Sequence, residues 1–349
     1  MADGEEVELI DTLSAGAGHP FAMAGIPSAT GSAVIAVEGG SGKNSVTDKV
    51  VIDDVATTSF EMFTEFDYGF YDQDNLTKAV RGFRSDSYAG SFGLEYKVTD
   101  NLVLGTAYTY FWSDTEVAGN LGNIDLEGNL VSAYATAFFG DSYVDVLYSY
   151  GAFNNELVRN TLMGGRNAYG DAESQSHNVA LNLGHNFRMK EQVTFGPFAG
   201  LDYGTGNIDG YTERGGRNAN LIYPDTDFET AVGRLGGQVT FRKSTNLGML
   251  TTQARAGWAH EFLPESDTVT ATLQTSPFIL VSGGSASRVG GFTAEADGAH
   301  AGTDWIELGL SSRLDIQNTA FYVELGYDGM FGRNNASGHF GSTKIGYEW

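Results

Sequence analysis

The chain has 349 residues, with 20 basic against 44 acidic side chains, 47 glycines and no cysteine. A formal charge of −24 excludes nucleic-acid binding, because phosphate contacts draw on clustered Lys and Arg. The lack of cysteine excludes disulfides, thiolate metal sites and cysteine catalysis, and suits export through an oxidising compartment.

Abundant glycine, 12% aromatic residues and six prolines favour short twisted strands over helices. No run approaches the ~18 apolar residues of a membrane helix. A membrane strand needs only about ten residues, half of them facing inward, so its mean hydropathy is near neutral.

In chain order, Met1-Ala2-Asp3-Gly4-Glu5-Glu6 lacks the basic and apolar regions of a signal peptide, so an exported chain must have lost its leader by processing. Gly39-Gly40-Ser41-Gly42-Lys43-Asn44 is close to a phosphate loop. Val37 stands where the first glycine is required and Asn44 where the hydroxyl residue is required, which leaves a flexible linker.

From Ser59 onward, twelve segments alternate with period two, at 59–71, 91–98, 102–112, 129–139, 144–151, 176–187, 193–204, 228–241, 250–262, 305–316, 321–331 and 339–349. Ile306, Leu308, Leu310, Leu314 and Ile316 share one face, while Glu307, Gly309, Ser311, Arg313 and Asp315 share the other. The last strand sends Thr343, Ile345, Tyr347 and Trp349 to an apolar face and Ser342, Lys344, Gly346 and Glu348 to a polar one. Pro197, which lacks an N–H, predicts a bulge or irregularity in its strand.

The connections alternate. Long polar links are expected near 72–87, 113–127, 154–175, 205–227 and 263–304. Short ones fall at Thr99-Asp100, Gly140-Asp141, Arg188–Gln192, Arg242–Met249 and Gln317–Thr319, and Gly332–Gly338 is modest. Such asymmetry is that of an outer-membrane barrel with brief periplasmic turns and extended outer loops. The expected fold is therefore all-β, a 12-stranded antiparallel transmembrane β-barrel with both ends in the periplasm. A soluble sandwich would have to bury charges such as Arg234, Arg255 and Arg313 in a dry core.

The expected pore-lining charges are Glu61, Glu65, Asp67, Glu95, Asp145, Arg234, Arg255, Glu307, Arg313, Glu324, Asp328, Lys344 and Glu348. The six histidines show no metal spacing, and no metal or cofactor is expected. Gly140-Asp141-Ser142-Tyr143 is similar to the nucleophile block of GDSL esterases, with Asp297-Gly298-Ala299-His300 as acid and base. A barrel's height would separate Ser142 from His300, so a turn is the better reading and an enzyme is not expected.

Four stretches carry a family resemblance: Gly196-Pro197-Phe198-Ala199-Gly200-Leu201-Asp202-Tyr203, Ile208-Asp209-Gly210-Tyr211-Thr212-Glu213, Ala256-Gly257-Trp258-Ala259-His260-Glu261-Phe262 and Ile345-Gly346-Tyr347-Glu348-Trp349. In this order they resemble the autotransporter (type V secretion) translocator domain, over about five-sixths of the chain. The resemblance implies a barrel at 59–349 with the preceding segment threaded through its lumen. Residues 1–43 look like the last rungs of a β-helical passenger, from Val7–Asp11, Pro20–Gly25 and Gly31–Val37, and 44–58 like the linker entering the pore. Asn44–Thr58 is rich in Val and Thr, so a regular pore helix is not expected there.

The resemblance further implies a monomer in the outer-membrane bilayer beside lipopolysaccharide. Its partners would be the barrel-assembly machinery, periplasmic chaperones and its own passenger. Ile345, Tyr347 and Trp349 would form the assembly signal. Some family members cleave the linker by asparagine cyclisation, for which Asn44 is the candidate, although the inward carboxylates more simply hydrate the lumen and pair with its cations. The alternative function is a stand-alone acidic, cation-preferring porin.

Overall fold

The computed structural model describes residues 60–75, 81–99, 101–161, 165–190, 192–263, 268–274, 278–282, 285–289, 293–297 and 302–349. The expected passenger remnant (1–43), the linker (44–58) and Asn44 lie outside the described residues.

Twelve long strands build the barrel. They are β1 (Phe60–Gln73), β2 (Phe83–Thr99), β3 (Leu102–Val117), β4 (Gly122–Phe139), β5 (Ser142–Asn160), β6 (Asn167–His185), β7 (Val193–Ile208), β8 (Thr226–Ser244), β9 (Gly248–Glu261), β10 (Asp304–Ile316), β11 (Phe321–Arg333) and β12 (Ala336–Glu348). Each pairs antiparallel with its neighbours in sequence. The ring closes between β1 and β12, in register from Glu61↔Glu348 to Gln73↔Ala336. Phe60 and Trp349 meet at one end: Trp349 N–H donates to Phe60 O at 3.0 Å, and their rings lie 4.7 Å apart.

The outward residues are those an apolar solvent requires. Leu310, Ile345 and Leu308 are 54%, 48% and 44% exposed, so none is sequestered in an interior. Inward glycines seat inward aromatic rings from adjacent strands. A Cβ at Gly346 would stand 2.1 Å from Tyr322 Cε1, one at Gly93 2.1 Å from Phe63 Cζ, and one at Gly105 2.2 Å from the Tyr134 ring. Rings can lie flat on the wall because these positions carry no side chain.

Several expected loops are strand. The links placed at 72–87, 113–127 and 154–175 contract to 74–82, 118–121 and 161–166, and Gly332–Gly338 contracts to a two-residue turn at Asn334-Asn335. Asn335 takes φ +56°, a left-handed conformation that asparagine tolerates in tight hairpins. The reason for the misreading is physical: the amphipathic pattern inverts along the strands. In β4, Val131, Ala133, Ala135, Ala137 and Phe139 point outward, opposite Ser132, Tyr134 and Thr136. Further along the same strand, Asn123, Asp125, Glu127 and Asn129 point outward, while Ile124, Leu126 and Leu130 are buried inside.

β5 and β6 repeat this, with outward Asn154, Glu156, Asp171 and Glu173 facing away from buried Phe153, Ala168 and Ala172. Asn160 lies ten residues beyond Tyr150 in β5, a climb of about 25 Å once strand tilt is allowed for. Charge therefore keeps to the inner face only at lipid level. Above that level, Ala89, Phe111, Leu126, Leu130, Phe153 and Phe228 from β2, β3, β4, β5 and β8 form a dry cluster inside the barrel.

Pro197 sits outward in β7. Its register with β8 runs through Gly237↔Pro197 without a shift. On the other side the ladder stops at Gly184↔Phe198 and resumes, in the same alignment, at Phe187↔Phe195 in the short strand Phe187–Lys190. The expected irregularity is thus a gap in the neighbouring strand rather than a bulge.

Substituting Gly346→Ala should force the Tyr322 ring to shift and cost about 1–3 kcal/mol, whereas Gly90→Ala, whose Cβ meets nothing within 4 Å, should be close to neutral. The temperature at which the barrel loses its compact mobility in dodecyl sulfate gels checks the pair. A second test concerns the outward acids, which stand directly opposite one another as Asp86↔Asp114, Asp114↔Asp125, Asp125↔Glu156 and Glu156↔Asp171. Burial, then the charge and hydrogen bond of Asp125, hold the Asp114 carboxyl above its ordinary range. A raised carboxyl favours the folded state when protonated, and that gain is lost as pH climbs through the carboxylate range. Asp114→Asn should therefore raise the unfolding temperature at pH 7.5, with the gain fading towards pH 4.

Candidate functional site

The lumen is built by period-two alternation, which turns every second residue of each strand inward. All thirteen expected pore-lining charges fall on inner faces, but they sit in two different environments. At the end carrying Phe60 and Trp349, the lumen is packed. Arg313 is 1% exposed; its Nε donates to Asp315 at 2.7 Å, its Nη2 reaches Glu348, and its guanidinium stacks 3.6 Å from the Tyr322 ring. The Tyr322 hydroxyl in turn donates to Glu61 of β1.

Lys344 places its ammonium 3.7 Å from the centre of the Phe63 ring and is 2% exposed. Tyr134 of β4 donates to Glu95 at 2.7 Å, and Tyr143 of β5 donates to Gln238 of β8 at 3.3 Å. Glu324 and Asp145 are also buried here. These charges were expected to line open water; the tyrosines instead draw them into a cross-linked layer. A stacked, hydrogen-bonded guanidinium tolerates burial that an isolated charge would not.

Above this layer opens a cavity of about 340 Å³, lined in part by Glu65, Asp67, Arg234, Arg255, Glu307 and Asp328. Arg234 bridges Asp202 on β7 and Glu307 on β10, with its Nε 2.9 Å from Glu307 Oε2. Arg255 donates to Asp328 at 2.7 Å. The Arg234–Asp202 pair joins the neighbouring strands β8 and β7, whereas Arg234–Glu307 and Arg255–Asp328 each reach past one intervening strand, β9 and β10, along the inner wall. Arg234 is 21% and Asp328 42% exposed at the side chain, values of a wet interior.

The dry cluster of Phe111, Phe153 and Phe228 narrows the passage next, and beyond it the 209–225 segment folds over the mouth. Arg159, pointing inward from β5, donates to both carboxylate oxygens of Glu213, at 2.8 Å to Oε1, and to Ala219 O at 2.7 Å. Glu213 also accepts the Leu221 N–H at 2.8 Å. Burial disfavours the Arg159 charge, but the hydrogen bond and charge of Glu213 outweigh it and raise its pKa. Tyr211 and Tyr223 stack beside this pair at 4.6 Å, and Tyr211 covers Gly170.

Sequence reading missed Asp202, Phe228 and the Arg159–Glu213 pair. Parity places Asp202 and Phe228 inward once Leu201 and Arg234 are assigned. The ion pair spans 54 positions and leaves no local mark. Ser142 lies at the closed end of β5 and hydrogen-bonds His185 Nδ1 at 2.8 Å, while His300 lies outside the described residues. His260 and His339 point outward and bond Asp304 and the Tyr327 hydroxyl, at 2.9 and 2.8 Å.

Arg159→Ala would leave Glu213 buried without its partner, a loss of about 3–5 kcal/mol, and should release the 209–225 segment. Limited proteolysis of the folded barrel should then cut within 209–225 at least ten times faster, with the barrel core intact.

The autotransporter beta-domain family matches residues 62–328. Outer membrane protein A of Rickettsia conorii and that of Rickettsia rickettsii are each 28% identical over 210 residues; this covers 57% of the chain but only 10% and 9% of those proteins. The fold is similar to the translocator domain of autotransporter NalP from Neisseria meningitidis, with a TM-score of 0.64 at 15% identity over 92% of this chain and 95% of that one. It is likewise similar to the beta domain of the Bordetella autotransporter Brka, with a TM-score of 0.60 at 14% identity over 83% and 100%. The chain belongs to the autotransporter beta-domain family, the outer-membrane barrels of autotransporters.

Proposed function

We propose that this barrel is the outer-membrane translocator that delivers or anchors, at the cell surface, a passenger joined to its N-terminus. The observation that carries the reading is the closed ring with Phe60 and Trp349 at one mouth. A chain entering β1 from that mouth can reach the far side only through the lumen. The lumen supports the task chemically, because paired inward charges such as Arg234 with Glu307 and Arg255 with Asp328 can exchange partners with a passing polar chain at little cost.

The mechanism needs no bond chemistry. Lipid cannot satisfy backbone groups, so the barrel must be closed while a segment is inside it, and the β1–β12 seam is where closure occurs. Residues 1–43 then act as the passenger remnant and 44–58 as the linker within the pore. The barrel-assembly machinery, periplasmic chaperones and lipopolysaccharide are the partners of this reading, and Ile345, Tyr347 and Trp349 are the outward residues offered as the assembly signal. Trp349 also packs on Phe60, an aromatic pair worth ~0.5–1.5 kcal/mol beyond its buried area.

An epitope placed at the N-terminus should be reached by antibody and protease on intact cells. An epitope reached only after the outer membrane is permeabilised would reject delivery to the surface. Deleting Trp349 should lower the amount of heat-modifiable barrel in the outer membrane severalfold, which immunoblotting of membrane fractions measures.

A further inference from the structure

The charge of this protein is overwhelmingly acidic, yet four of its 20 basic residues gather at one place on the rim. Arg188 and Lys190 end the short strand after β6, and Arg242 and Lys243 lie near the end of β8. β7, between them, holds the two ends side by side: Lys190 pairs with Val193, and Val193 pairs with Phe241. The register shifts between Arg188 and Lys190, and this irregularity brings Lys190 to the outward side shared by Val193 and Phe241. Lys243, two residues beyond Phe241, is outward as well, and both lysines are exposed, whereas Arg188, opposite Thr194, lies on the lumen side of the rim. Asp141 and, by sequence, Glu191 are the acids of this rim, so the cluster keeps a net positive charge.

The apolar surroundings say what the charges face. Phe187, Met189, Phe195, Leu247 and Met249 are 48%, 61%, 44%, 67% and 43% exposed, forming the edge of the lipid-facing belt. Basic groups one or two residues past such a belt lie at headgroup depth, where long side chains snorkel towards phosphate. We infer that the rim of β6–β8, through Lys190 and Lys243, binds the phosphates of anionic phospholipid, so that the barrel carries a fixed lipid contact on its terminal side. The inference rests on the outer-membrane reading above, which turns this rim towards the phospholipid leaflet.

The full chain is inserted in phosphatidylcholine vesicles carrying trace spin-labelled phosphatidylglycerol or spin-labelled phosphatidylcholine, and the motionally restricted fraction of each lipid is measured. Each basic residue near an anionic surface is worth ~1 kcal/mol, about fivefold. The expected preference for phosphatidylglycerol is therefore about fivefold or more at low salt, falling towards equality at high salt. Lys190→Gln/Lys243→Gln should lose the preference while keeping its heat-modifiable mobility, and Arg84→Gln, at the opposite end, should keep it. Equal association of the two lipids with the unmodified chain overturns the proposal, as does an undiminished preference in the double variant. Failure of the chain to enter vesicles at all would instead refute the membrane reading.

Discussion

A backbone in hydrocarbon has no water to hydrogen-bond, so every N–H and C=O at lipid level must find a partner within the chain. The rest of this structure follows from that constraint. It forces β1 onto β12, strands separated by nearly the whole length of the barrel. It places the terminal Trp349 against Phe60 and ties the even strand count to a common side for both ends. Pro197, the residue least able to satisfy the ladder, is tolerated because the gap it leaves falls at the end of β6. There Asn186 still donates its N–H to Asp141 O at 2.8 Å, which continues the ladder to β5 on the other edge.

The same wall meets two solvents. At lipid level it is greasy outside and polar inside; past the lipid it is acidic outside and apolar inside, so that one barrel carries two opposite amphipathic codes in series. The upper part obeys the rules of a water-soluble protein, with Phe111, Phe153 and Phe228 as its core and Asp125, Glu156 and Asp171 as its surface. Because β2 to β8 run 16–19 residues and β9 to β12 only 13–14, this upper part is a tall wall on one side of the ring. The 209–225 segment leans on it through Arg159 and Glu213.

Inside, the distribution of order matters for transport. The cation-and-tyrosine layer of Arg313, Tyr322 and Lys344 joins β1 to β10, β11 and β12, and so braces the closing seam from within. The middle, with the half-exposed ion pairs around Arg234 and Arg255, is wetter and easier to rearrange. A rigid seam beneath an exchangeable interior suits a passage that must hold its ring while its contents move.

The sequence by itself determined the strand count, the faces of each strand at lipid level and the inward charges, because side-chain parity is a local property of an extended chain. It also carried, in four stretches ending in Trp349, a resemblance to the family whose match covers residues 62–328. Three features were decided only by tertiary structure. Strands β2 to β5 continue past their apolar outer faces, since their upper halves share with Phe228 of β8 a core that no local pattern announces. Arg313, Lys344 and Glu95 are buried rather than water-lining, since Tyr322, Phe63 and Tyr134 from other strands reach them. Arg159 finds Glu213 across 54 positions of chain. In each case the deciding contact depends on how the ring curls back on itself, and curvature is a property of the closed sheet rather than of any strand within it.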